Sequence, residues 1–233
     1  MSSPRSEFLA GVRAELPIIV GVIPFGLIFG VLTVTNDVAA PLGISMSSII
    51  FAGSAQFIGI QLIGTGASAA VLIFTTFIVN LRHMLYSAAL APNVQHLSRG
   101  WRWLLAYLLT DEAYVVTVLR YEERDTSSAH RHWFWLGAGL TLWVNWQFWT
   151  VVGVLFGTQV PSSWSLDFTL ALTFIGMVVP LCKNRPNLAA ALAAGVTAVL
   201  TNALPNKLGL MIAAFVGIGV GVWMESRQPK EAA

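Results

Sequence analysis

TTFIVNLRHMLYSAAL, residues 75–90, decides the class of fold. Ile78, Val79, Leu81, Met84 and Leu85 make it apolar enough to lie in lipid, yet Asn80, Arg82, His83 and Tyr86 interrupt it. A spanning helix needs about 20 mainly apolar residues. A charge inside one is costly unless it meets a partner or a water-filled cavity. The surrounding chain has the same character. Its 233 residues are 56% hydrophobic and 10% charged, with a mean hydropathy of +0.71, against about 25% charged in an average soluble domain. A globule of this composition could not cover its surface with polar groups. The reading is an all-α polytopic membrane protein, one transmembrane domain over residues 1–233.

Outward from this stretch, apolar windows give about eight candidate spans: 15–35, 45–65, 68–91, 101–120, 133–157, 166–182, 187–203 and 206–225. Some are expected to be broken or kinked. The first holds Pro17, Gly21, Pro24, Gly26 and Gly30, and Pro24 with Gly26 is the candidate hinge. The same glycines suit close helix packing. Eight spans with both termini in the cytoplasm put most Lys and Arg residues inside. Arg99 and Arg102 of QHLSRGWRW do not fit, because eight spans place them outside. A faint internal repeat relates Phe51-Ala52-Gly53 and Asn80 to Phe174-Ile175-Gly176 and Asn202. The N-terminal MSSPRSEFLAGVRAELP lacks the form of a signal peptide, so the first span is expected to act as its own membrane signal.

Composition and motifs narrow the function. A net charge of +2 gives no reason to expect nucleic-acid binding. The single cysteine, Cys182, excludes an intrachain disulfide and a cysteine zinc cluster. No H-E-x-x-H, G-x-S-x-G or G-x-x-x-x-G-K-[ST] occurs, so no enzyme activity, metal or cofactor is expected.

Intramembrane polar residues are the site candidates. At about 100° per residue, Thr76, Asn80, His83 and Ser87 form one stripe, expected to face the bundle. Arg82 and Tyr86 form a second, roughly opposite. In LLAYLLTDEAYVVTVL, Asp111 and Glu112 lie near the centre of the fourth window, where one of them is expected to exchange a proton or to pair with Arg82. Asn145 in GLTLWVNWQFW binds solute or joins helices. In FAGSAQF, Gly53 and Ser54 either start a half-helix whose free N–H groups and dipole suit a carboxylate, with Gln56 in its first turn, or pack within an unbroken helix. The substrate-binding candidates are thus Gly53, Ser54, Gln56, Asn80, His83 and Asn145. The proton-coupling or ion-pair candidates are Arg82, Asp111 and Glu112. These groups suit a carrier for a small polar or zwitterionic solute. The alternative is a transporter or channel for another small polar solute, with buried polar groups serving mainly helix packing.

PFGLIFG (24–30), SSIIFAGSAQF (47–57) and VNLRHMLYSAALAP (79–92), in that order, resemble the AzlC family of branched-chain amino-acid exporters. TDEAYVV (110–116) and DFTLALTFIGMVVPL (167–181) fit the same family. The resemblance implies a permease of the bacterial inner membrane working with a small four-helix subunit of the AzlD type. It implies valine, leucine and isoleucine as substrates and export driven by the proton gradient. It assigns no role to any single residue.

Overall fold

A computed structural model describes residues 3–122, 130–157, 178–179, 182, 184–204 and 208–227. Among these all the regular structure is helical and there is no strand, as an all-α membrane protein requires. Contacts divide it into two units, Met1–Leu166 and Asp167–Ala233.

The first unit holds α1 (Pro4–Thr35), α2 (Ala40–Ile50), α3 (Gly53–Gly64), α4 (Ala69–Leu90), α5 (Arg99–Tyr107), α6 (Asp111–Glu122) and α7 (Arg131–Phe156). Three of these, α1, α4 with the short turn that follows it, and α7, are long and apolar enough to cross a bilayer. Ser3 opens α1 with a reciprocal capping box to Ser6. The helix then runs unbroken through Pro17 and Pro24.

α1 and α7 lie parallel along a seam of small residues. Gly11 sits beside Phe134 and Ala138, Gly26 beside Trp146 and Trp149, and Gly30 beside Thr150 and Val154. A Cβ on Gly26 would stand 2.9 Å from that of Trp149, so Gly26 serves close approach of the two helices.

The windows 45–65 and 101–120 each fold as a helix, a break and a second helix that returns to the end it came from. Gly43 near the start of α2 abuts Thr33, and Gly64 at the end of α3 abuts Asn36, so both arms begin and end by the last turn of α1. Met46 and Gly59 face each other between the arms. α5 and α6 repeat the pattern at the other end. Trp101 packs 4.8 Å from His132 and 5.0 Å from Trp133, while Tyr121 donates to the Arg131 carbonyl at 3.1 Å. Each arm has 9 to 12 residues, about 14–18 Å at 1.5 Å per residue, roughly half a hydrocarbon core. Of the breaks expected from the sequence, the one at FAGSAQF is present, the first window is unbroken, and the fourth window breaks instead, giving two re-entrant hairpins entering from opposite ends.

This arrangement removes the misfit at Arg99 and Arg102. With both hairpins re-entrant, the start of α5 lies at the same end as Arg5, Arg13, Arg120 and Arg131, and only Arg82 among the described arginines of the unit lies apart. A cysteine at Gly100, in a Cys182→Ser background, is expected to react with an impermeant maleimide from the same side as one at Arg5. One at Thr65 should react from the opposite side. Labelling of Gly100 together with Thr65 would restore two through-going helices and refute the hairpins.

In the second unit, α8 (Arg185–Leu200) and α9 (Leu208–Ser226) pack antiparallel, with Gly217 against Ala194 and Ala190 and Gly209 against Thr201. The Asn184 side chain caps α8 by accepting from the Asn187 N–H at 2.8 Å. The expected span 166–182 and the Phe174-Ile175-Gly176 half of the repeat lie almost entirely outside the described residues.

Candidate functional site

The tips of the two hairpins meet inside the first unit. At the first tip the break falls on Phe51, which is buried with φ +42°, and on Ala52. A left-handed conformation costs a non-glycine residue roughly 1–2 kcal/mol, and such strain persists only where the surroundings impose it. Here the Phe51 ring packs 6.0 Å from that of Tyr107 at the end of α5. Trp146 of α7 lies against Gly53 and among Phe29 and Phe57, closing the tip from the side.

Breaking a helix strands backbone groups, and at membrane depth the protein must satisfy them. The carbonyl of Ser47 accepts from Gln147 Nε2 at 3.1 Å, and that of Ser48 accepts from the Tyr107 hydroxyl. Trp143 Nε1 donates to the Tyr107 oxygen at 2.6 Å. Ser47 and Thr150 share a hydrogen bond of 3.0 Å, and Ser48 Oγ donates to Gln147 Oε1 at 2.9 Å. The Ala52 N–H donates to Gln56 Oε1 at 3.2 Å. Beyond it, the N–H groups of Gly53 and Ser54 open α3 with no hydrogen bond among the described residues. They form the positive end of a half-helix.

At the second tip the break spans Leu108–Thr110. The Thr110 hydroxyl accepts from the Ala113 N–H at 3.3 Å and caps α6. Asp111 and Glu112 occupy the first turn, where acidic residues complement the helix dipole.

Arg82 of α4 ties the tips together. Its Nη2 donates to Ser54 Oγ at 2.8 Å and its Nη1 lies 2.8 Å from Asp111 Oδ2. Tyr86, one turn further along α4, donates to Asp111 Oδ1 at 2.7 Å and stacks on Tyr114 at 4.4 Å. The side chains of Arg82 and Asp111 are 28% and 22% exposed, so the pair is largely withdrawn from solvent.

Ser54, Arg82 and Asp111 thus come together, with Gly53 and Glu112 beside them in the chain. The facing of α4 differs from expectation. Arg82 and Tyr86 point to the tips, because only there does the guanidinium find a carboxylate. Ser87 is exposed, and Thr76 back-bonds to the Leu72 carbonyl at 2.8 Å. His83 is half-buried with its ring 5.9 Å from that of Tyr86. Gln56 Nε2, Asn80 Oδ1, Arg82 Nε, Asn145 Nδ2 and Trp146 Nε1 are buried with no hydrogen-bond partner among the described residues. Such atoms are rare in a folded protein. No group of three or more His, Cys, Asp or Glu comes together among the described residues.

Tyr86 was placed on one stripe with Arg82 but given no role in the site, and Tyr107, Gln147 and Ser48 were given none. For Tyr86 the signal was its place one turn from Arg82. The other three answer a helix break whose position had to be known first.

The AzlC protein family model matches residues 17–160, which contain both hairpins, α4 and α7 whole and α1 from Pro17 onward. The chain belongs to the AzlC family. It is 27% identical over 225 residues to inner membrane protein YgaZ of Escherichia coli, covering 93% of this chain and 88% of that protein. It is 30% identical over 226 residues to an uncharacterized membrane protein of Archaeoglobus fulgidus, covering 95% and 97% of the two chains. It is 24% identical over 176 residues to the branched-chain amino acid transport protein AzlC of Bacillus subtilis, covering 73% and 68%. No solved structure matches.

Proposed function

We infer that this AzlC protein is a secondary transporter that exports valine, leucine and isoleucine across the bacterial inner membrane, coupled to protons and assembled with a small AzlD-type subunit. The observation that carries the reading is the joining of two helix breaks by one arginine. The open N–H groups of Gly53 and Ser54 offer a carboxylate site beside the Arg82 guanidinium. Asp111 and Glu112 offer a site for the ammonium group. An amino acid carries both charges. The aromatic wall of Phe25, Phe29, Phe57 and Trp146 suits a branched aliphatic side chain. The printed name of the Bacillus subtilis relative supports the solute class. The clustering of arginines at the end that bears Arg5 supports a cytoplasmic N-terminus.

The test is counterflow of labelled valine in proteoliposomes, with and without the small subunit. Saturable exchange competed by leucine and isoleucine, and requiring the small subunit, is expected. Flux that neither saturates nor exchanges would favour a channel in which Arg82 and Asp111 serve only to dock the two hairpins.

A further inference from the structure

Glu15 lies outside the tip site and has no role there. It is 0% exposed in the middle of the first unit, and both its carboxylate oxygens are buried with no hydrogen-bond partner among the described residues. An ionised carboxylate so placed has nothing to offset its desolvation, so the geometry suits the protonated acid. Intramembrane acids of this kind are the material of proton relays.

Its surroundings form a line rather than a pocket. Glu7, Gly11 and Glu15 are buried at intervals of four along α1. α6 runs antiparallel beside them. At the tip end Glu112 is the electrostatic neighbour of Glu15. At the basic end Arg120 Nη2 lies 3.5 Å from Glu7 Oε1, with Glu7 only 5% exposed. Between them on α6 the Thr117 hydroxyl is fully buried and has no hydrogen-bond partner among the described residues. From α7, the face packed on α1 between Trp133 and Phe156 contributes no titratable or charged group. On α1 itself the other charged neighbour, Arg13, is exposed. Asp111, next to Glu112, is already held by Arg82 and Tyr86.

We propose that Glu15 carries the coupling proton, exchanging it with Glu112 at the second hairpin tip and, past Thr117, with the Glu7–Arg120 pair at the basic end. This rests on the transporter reading above and gives its proton a route that meets the solute site only at Glu112. Asp111 then positions Arg82, and Glu112 is where the two routes touch.

The test compares two transport modes of the reconstituted protein with its small subunit. In Glu15→Gln, valine counterflow is expected within about two-fold of wild type, while accumulation driven by a pH gradient falls at least about ten-fold. Glu15→Asp, still titratable, should recover part of that loss. Wild-type accumulation in Glu15→Gln would overturn the proposal, as would loss of counterflow together with accumulation. An infrared comparison in D2O reads Glu15 without any solute. Loss of one protonated-carboxyl band in Glu15→Gln is expected, and an unchanged spectrum overturns the proposal. Absence of valine counterflow in the wild type would strike the substrate reading alone, because the infrared result stands independently of it.

Discussion

Replacing Arg82 with glutamine is expected to abolish valine counterflow and to lower stability by about 3 kcal/mol, the scale for breaking a largely buried ion pair by removing one partner. Arg82 has two tasks, and the double variant separates them. It balances Asp111 at 2.8 Å and holds Ser54 at 2.8 Å, so its loss strands a carboxylate and frees both hairpin tips. In Arg82→Gln with Asp111→Asn no charge is left unpaired, so thermal stability in detergent should return close to that of the wild type. Transport should not return, because the positive group beside the Gly53 and Ser54 amides is still missing. Wild-type counterflow in Arg82→Gln would end its place in the solute site. Recovery of counterflow in the double variant would show that the pair serves only to hold the hairpins together.

The second large effect is expected at Gly153 on the seam between α1 and α7. A Cβ there meets the Leu27 carbonyl and lies 2.9 Å from the Gly30 Cα, both backbone atoms that cannot swing aside. Gly153→Val therefore requires the two helices to part. The cost is about 3 kcal/mol or more, at the upper end for overpacking a core. Folded protein should be nearly absent from the membrane fraction. Gly195→Val is the control: its added Cβ would have no neighbour within 4 Å. Equal accumulation of the two variants would mean that the seam is looser than its geometry.

Much of this was legible in the sequence, and the remainder was hidden for identifiable reasons. Composition alone excluded a soluble globule. The polar residues of NLRHMLY and LLTDEAY marked the two elements that meet. The half-helix at Gly53 was one of two open readings of FAGSAQF, and the structure adopts it. The hairpins were not legible from hydropathy, because two half-depth arms joined by an apolar break make the same 20-residue apolar window as one spanning helix. Their trace was electrostatic: Arg99 and Arg102 fell on the wrong side until both windows turned back. The facing of Arg82 was missed because a lone helix shows which residues share a stripe, and the partner helix decides which stripe is buried. Glu15 was passed over because it stands at the edge of the first apolar window, where an acid reads as interfacial. Only the approach of α6 and α7 shows that it is enclosed.

A spanning helix followed by a half-depth hairpin occurs twice in the first unit, as α1 with α2–α3 and as α4 with α5–α6, and the second copy runs the opposite way through the bilayer. Inverted duplication of this kind is a common frame for alternating access in transporters. If the first copy adopts the pose of the second, and the second that of the first, the solute site turns to the other side of the membrane. No contact type is needed that the molecule does not already contain.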